Sequence, residues 1–193
     1  MSKTIENLAK AFIGESQARN KYTVYASVAR KEGYEKISAI FEETASQEFE
    51  HAEWHLKMLN GLKVKDKWNG SVDVPANTHV VLGTTIENLR EAIAGETYET
   101  SIMYPGFADV AEKEGYKDIA DRLRRIAVAE AHHRGRYSDM LKALESGTLF
   151  KKPEKVEWAC RKCGYVHTGN EPPGKCPLCG HERGFYELKC ECF

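Results

Sequence analysis

Apolar residues in the first sixty positions recur at intervals of three and four: Ile5, Leu8 and Phe12, then Val24 and Val28, then Ile37, Ile40 and Phe41. That is the period of a helix packed by one face. The pattern predicts helices over about 4–31 and 34–60, separated at Gly33 and stopped at Gly61. About twenty residues follow, LKVKDKWNGSVDVPANTHVVLG, in which Gly70, Pro75, Asn77 and Gly83 mark a connection and not an element. A third helix is expected from Thr84 through Tyr104, with a kink at Pro105, and a fourth from Tyr116 to Glu145, ended by Gly147. Past the linker GTLFKKPEK the helical period disappears and Cys, Gly and Pro dominate.

The pattern is also duplicated. IENLAKAFIGE at 5–15 returns as IENLREAIAGE at 86–96, and ARKEGYEKI at 29–37 returns as AEKEGYKDI at 111–119. The copies are offset by 81 positions at the first pair and 82 at the second, so one residue has been inserted between them, near Pro105. A helical hairpin cannot bury its apolar face alone; two copies packed together make a four-helix bundle. A helix of about 27 residues is roughly 40 Å long, and about twenty extended residues reach roughly 66 Å. The connection between the hairpins can therefore run the full length of the bundle, as the long crossover of ferritin-like folds does.

Charge narrows the partners. Lys and Arg number 28 against 29 Asp and Glu, so no basic excess marks a nucleic-acid or anionic-membrane binder. No run approaches the ~20 consecutive apolar residues of a membrane span. The opening MSKTIENLAK has no apolar core or cleavage site of a signal peptide, and a cytoplasmic location is expected. All six cysteines fall between Cys160 and Cys192, which suits a metal module in a reducing compartment better than a disulfide framework.

Helix-borne carboxylates carry the chemistry. Glu48-Phe-Glu-His51 and, 82 positions on, Glu130-Ala-His-His133 are both Glu-x-x-His, which sets a carboxylate and an imidazole on one helix face. One such pair is weak evidence and reads equally well as a solvated helix face. Two in register across a duplication, together with Glu15 and Glu96 in apolar surroundings after Gly14 and Gly95, are another matter. Several inward carboxylates without partners cost several kcal/mol each unless cations lie between them. One Glu from each of two helices plus Glu-x-x-His from each of the other two is how ferritin-like bundles hold two iron or manganese ions. Mixed carboxylate and imidazole ligands favour iron over magnesium or calcium.

One departure from symmetry is informative. Glu99 follows Glu96 by three residues on the same face, where the first copy has Ala18. An additional carboxylate beside one iron favours its oxidised state and suggests redox work and not storage alone. Tyr22 and Tyr104 share the faces of Glu15 and Glu96, where a phenol can orient a ligand carboxylate; ordinary core tyrosines would look the same. His55 and His132 fall off the matched pattern and are expected not to be ligands.

CRKCGYVHTGNEPPGKCPLCG holds two C-x-x-C pairs, each followed by Gly, which is the knuckle pattern of a tetrahedral four-thiolate site. Zinc and iron both accept it. Cys190 and Cys192 lie outside this set, and as free thiols they would be open to oxidation.

The chain resembles the rubrerythrins. The resemblance rests on GESQARNKY, EFEH, AGETYE with MYPGF, AVAEAHH, and CRKCGY with CPLCG, in that order and covering nearly the whole chain. It implies a ferritin-like di-iron four-helix bundle over 1–147, a linker over 148–156, and a rubredoxin-like domain of short β strands and knuckles over 157–193. Carried onto this chain, it makes Glu15, Glu48, Glu96, Glu99, Glu130 and His133 the di-iron ligands, with Glu48 and Glu130 bridging. His51 would ligate in the reduced state and give way to Glu99 on oxidation. Cys160, Cys163, Cys176 and Cys179 would hold a single iron. The activity implied is reduction of hydrogen peroxide to water, with His51, Glu99, Tyr22 and Tyr104 about the reacting pair. Electrons would come from a reductase fed by NADH or NADPH, or from a separate rubredoxin. A head-to-tail homodimer or a higher homo-oligomer is expected, with neither nucleic acid nor membrane as partner. Two other readings stay open at this point: a ferroxidase that consumes dioxygen, and a non-catalytic zinc-ribbon binder.

Overall fold

The duplicated sequence folds as a duplicated helical hairpin. The computed structural model describes residues 2–190. The first hairpin is α1 (Lys3–Lys31) and α2 (Glu35–Asp66). In the second, α3 (Thr85–Tyr98) continues through a π-helical turn, Glu99–Met103, into α4 (Tyr104–Lys113), which leads to α5 (Lys117–Glu145). Both hairpins turn on the same Glu-Gly-Tyr triplet. Gly33 and Gly115 take φ of +83° and +87°, where a side chain would be strained, and the following tyrosines donate backbone N–H to Ala29 and Ala111, each at 2.8 Å.

The turn glutamates also tie the copies together. Glu32 accepts the backbone N–H of Thr85 at 3.1 Å, and Glu114 accepts those of Lys3 and Thr4 at 2.9 Å. Each hairpin's turn thus satisfies free amides at the start of the other hairpin. These contacts also fix direction. The α1 turn lies against the start of α3, whereas Asp66 at the end of α2 accepts the hydroxyl of Tyr116 at the other end of the bundle. Residues 67–84, without regular structure, therefore travel the length of the bundle, giving the ferritin-like topology.

Two helical expectations change. The second helix does not stop at Gly61 but runs to Asp66, because Leu59 and Leu62 keep the apolar period and are buried on either side of it. The inserted residue is absorbed as a π turn, marked by the Tyr104 N–H bonding to the carbonyl of Glu99, five residues back. Pro105, which lacks an N–H, follows directly, where the bonding register has just shifted.

Two apolar clusters fill the bundle. One gathers Ile5, Leu8, Leu59, Leu62, Tyr104, Ile119, Leu123 and Ile126. The other gathers Tyr22, Tyr25, Ile37, Phe41, Leu89 and Tyr137. Among the described residues no helix is long and apolar enough to cross a membrane.

The C-terminal unit is a three-stranded antiparallel sheet in the order β2-β1-β3, with β1 Val156–Cys160, β2 Val166–Gly169 and β3 Tyr186–Leu188. Trp158 is its buried centre and donates its indole N–H to the Gly169 carbonyl at 2.9 Å. The unit rests on the α1–α2 turn of its own chain. Gly184 lies against the Gly33 carbonyl, and Lys36 pairs with Glu187 at 2.9 Å.

Candidate metal centres

Four helices bring their carboxylates to the middle of the bundle. Glu15 (α1), Glu48 (α2), Glu96 (α3) and Glu130 (α5) are all fully buried. Each Glu-x-x-His pair folds as its spacing requires, with His51 Nδ1 at 2.9 Å from Glu48 and His133 Nδ1 at 2.7 Å from Glu130. Two sets of four result. In one, ligand atoms of Glu15, Glu48, His51 and Glu130 all lie within 4.8 Å of one another; in the other, those of Glu48, Glu96, Glu130 and His133 do. Glu48 and Glu130 belong to both sets.

These residues fit a pair of cations on their chemistry. Glu15 Oε2, Glu48 Oε1, Glu96 Oε2, both carboxylate oxygens of Glu130, and His133 Nδ1 are buried without a hydrogen-bond partner among the described residues. They crowd together, as His133 Nδ1 and Glu48 Oε1 do at 3.1 Å, with lone pairs converging and no hydrogen-bond geometry. In the absence of cations, protons must offset the charge. Burial, reinforced by neighbouring carboxylates, pushes Glu15 well above the ordinary carboxyl range and Glu96 up to about 8. His51 rises to about 9 and His133 to about 12: burial opposes their charge, but the adjoining carboxylates of Glu130 and Glu48 outweigh it.

The groups around these ligands orient them. Tyr22 donates its hydroxyl to Glu96 Oε1 at 2.6 Å, and Tyr104 donates to Glu15. The pairing is crossed: the tyrosine of each hairpin holds the glutamate of the other. Burial raises both phenols well above their usual range, so both stay protonated donors. His133 directs Nε2 at Gln47 Oε1, 3.0 Å away, which leaves Nδ1 for the centre. No periodic signal marked Gln47, because it lies on α2 and meets its partner only through the packing of α2 on α5. His55, off the repeat pattern, is not in either ligand set but is fully buried, with Nε2 at 3.0 Å from the Tyr104 hydroxyl. Burial, with the charge of His51, depresses it to about 3, and it is neutral. Its position one turn beyond His51 was the available clue.

Glu99 stands apart. It opens the π turn, half-buried, and belongs to neither set. It lines a cavity of about 590 Å³ together with Tyr22, Ala18, Gly95 and Met103, roofed by Pro75–Asn77 of the crossover. His132 is likewise in neither set and is exposed.

In the C-terminal unit, Gly164 and Gly180 adopt φ of +76° and +74° and donate N–H to the carbonyls of Cys160 and Cys176 at 2.8 Å, closing two knuckles. The four sulfurs of Cys160, Cys163, Cys176 and Cys179 form one cluster, with Cys160–Cys179 at 3.8 Å and Cys163–Cys176 at 3.6 Å. A tetrahedron with metal–sulfur bonds of about 2.3 Å has edges of about 3.8 Å, so the thiolates are spaced for one ion. Cys190 is exposed and outside the cluster; Cys192 lies outside the described residues.

The comparisons with known proteins agree with this geometry. The rubrerythrin family model matches residues 6–141, and that of the rubrerythrin rubredoxin-like domain matches 158–187. The rubrerythrin of Porphyromonas gingivalis is 46% identical, covering 96% of this chain and 90% of its own, and that of Clostridium perfringens 47%, covering 97% and 94%. A solved structure of partially reduced nigerythrin superposes with a TM-score of 0.64 at 30% identity, over 98% of this chain and 88% of its own. The bundle therefore carries a di-iron carboxylate–histidine site and the C-terminal unit a rubredoxin-type iron site. With both of its domains matched and their ligand sets assembled in space, the chain belongs to the rubrerythrin family.

Proposed function

We propose that this oxidoreductase reduces hydrogen peroxide to water at the di-iron site, protecting a cytoplasm against oxidative stress. The observation that carries the reading is the position of Glu99. A seventh potential ligand is held at the wall of a cavity, outside both ligand sets, while His51 sits inside one of them. Such an arrangement suits a centre that exchanges an imidazole for a carboxylate as its charge rises, with Glu99 replacing His51 on oxidation. The iron pair, when bound, supplies two electrons to the O–O bond, which with two protons makes two waters. The chain's own groups prepare that event. Glu48 and Glu130 would be shared between the two ions, Tyr22 and Tyr104 orient Glu96 and Glu15 by hydrogen bonds, and the cavity beside Glu99 has room for a small polar substrate.

Cys160, Cys163, Cys176 and Cys179 would hold an iron suited to one-electron transfer, with electrons drawn from a reductase using NADH or NADPH or from a separate rubredoxin. Glu15 and Gly33 are eighteen residues apart on α1 and its turn, about 27 Å at the helical rise. The cysteine unit sits on that turn, so a head-to-tail homodimer, which brings the partner's cysteine unit toward the di-iron site, suits the relay better than one chain does.

The test is anaerobic stopped flow on reduced, iron-loaded protein mixed with one equivalent of peroxide. Rapid return of the di-iron absorption ahead of the thiolate-iron bands is expected. Slow reaction with peroxide beside fast reaction with dioxygen would instead make the protein a ferroxidase, and a colourless protein holding only zinc would remove the relay.

A further inference from the structure

We propose that His55 is a positioning residue that makes the two halves of the di-iron site unequal, by donating its Nε2–H to Tyr104 and so committing the Tyr104 proton to Glu15. The proposal rests on the di-iron reading of the site.

The argument is one of donor counting. A phenol has a single proton, and that of Tyr104 is directed at Glu15. The imidazole nitrogen 3.0 Å from the same oxygen must then be the donor. The other nitrogen leads to the same tautomer. His55 Nδ1 is buried with no partner among the described residues, and an unpaired lone pair is tolerated there better than an unpaired N–H. Glu15 Oε1 lies 3.8 Å from Nε2, too far to take its proton directly, so the influence of His55 on the carboxylate passes through the phenol.

The duplication supplies the control. Shifting by 82 positions relates Tyr22 to Tyr104 and His55 to Tyr137, and shifting by 81 relates Glu15 to Glu96. In the second half, Tyr22 donates to Glu96 as Tyr104 does to Glu15. Tyr137, however, meets Tyr22 ring edge to ring, at 5.4 Å between centroids, and brings no imidazole. Around the two matched tyrosine–glutamate pairs, the halves thus differ in the group that meets the phenol. A phenol that accepts an N–H bond is polarised and becomes a stronger donor. Glu15 then gives up more of its charge than Glu96 and is the weaker ligand to iron. It belongs to the set containing His51, so the bias falls on the iron expected to exchange His51 for Glu99, and it favours the ferrous state with the imidazole bound.

The test has a metal-free arm and a loaded arm. In metal-free protein, nitrogen-15 NMR of the imidazoles is expected to show His55 protonated at Nε2 and bare at Nδ1, with a slowly exchanging proton lost in Tyr104→Phe. In iron-loaded protein, His55→Leu is expected to lower the midpoint potential of the di-iron pair and reduce the difference between its two Mössbauer quadrupole doublets. His55→Gln, which keeps an N–H donor, should restore both, and His55→Leu should have no further effect in a Tyr104→Phe background. Circular dichroism serves as the folding check, and Tyr137→Phe as the matched control in the other half. A proton at Nδ1, or a potential unmoved by His55→Leu in folded protein, would overturn the proposal. Wild-type protein that takes up fewer than two irons at the bundle site would overturn the di-iron reading and this inference with it.

Discussion

The contact between Gly184 and the α1–α2 turn allows a sharp test of how the cysteine unit is held. A methyl group built on Gly184 would lie 2.8 Å from the carbonyl carbon of Gly33, and closer still to its oxygen. Real Cβ atoms essentially never come inside 3.0 Å. Neither side can yield locally. Gly33 is pinned at φ +83° by its own bond to Arg30 and by that of Tyr34 to Ala29. Gly184 is held in a 3-10 turn, Arg183–Phe185, whose Phe185 carbonyl accepts the Arg161 N–H at 2.8 Å. Gly184→Ala must therefore move the two units apart by on the order of 1 Å, and overpacking of this kind costs about 1–3 kcal/mol. The same displacement stretches the Lys36–Glu187 pair from 2.9 Å to beyond hydrogen-bond range, a half-exposed contact contributing roughly 0.2–1 kcal/mol.

At about 1.4 kcal/mol per tenfold, the docked population should fall roughly tenfold to several hundredfold against undocked forms. Hydrogen exchange in the turn at 31–35 and proteolysis in the linker at 148–155 should rise accordingly. The visible spectrum of the thiolate iron should not change, because the four cysteines and both knuckle glycines are untouched. Lys36→Ala, which removes only the ion pair, should show a small fraction of the effect. If Gly184→Ala leaves exchange at the turn and cleavage in the linker as in the parent protein, the close approach does not hold the units together and the reasoning fails.

Three further outcomes follow from the metal centres. Removing the metals should make stability fall as pH rises from about 5 to about 9. Glu15, raised well above the carboxyl range, and Glu96 at about 8 keep protons in the folded state where the unfolded chain has lost them. This outweighs His55, neutral in the folded state and charged in the unfolded chain below about 6.5. His51 at about 9 and His133 at about 12 add to the difference above 6.5, so the folded state binds more protons throughout this window. Thermal melts of metal-free protein across that range check the sign, and a Tm that climbs with pH would contradict it. Tyr22→Phe removes the donor to Glu96 and should cost about 1–3 kcal/mol in denaturant melts of the metal-free protein, with the iron affinity of the His133 half reduced. Cys176→Ser should abolish the red thiolate–iron colour while leaving the melt of the helical bundle in place, since none of the four cysteines packs in either bundle cluster; loss of helical signal together with colour would show the two units to be interdependent.

Spacing alone revealed much of this molecule, wherever the interacting groups share one turn of helix or one knuckle. Glu48 with His51, Glu130 with His133, and the two C-x-x-C pairs meet because three residues separate them, and the chain can form those contacts whatever it packs against. The 81- and 82-residue offsets likewise announced two hairpins and one inserted residue. That the insertion would become a π turn opening at Glu99 depended on how α3 and α4 stay in register with their neighbours.

Tertiary structure decided everything that passes between helices. The rotation of each helix about its axis sets which side chains converge, and no periodicity within one helix records it. So the crossed pairing of Tyr22 with Glu96 and Tyr104 with Glu15, the bond from His133 to Gln47, and the burial of His55 against Tyr104 became visible only in the packed bundle. The same holds for where Glu99 rests, at the cavity wall and outside both sets. A sequence states which groups can share a face; the angle and separation of the helices determine which faces meet.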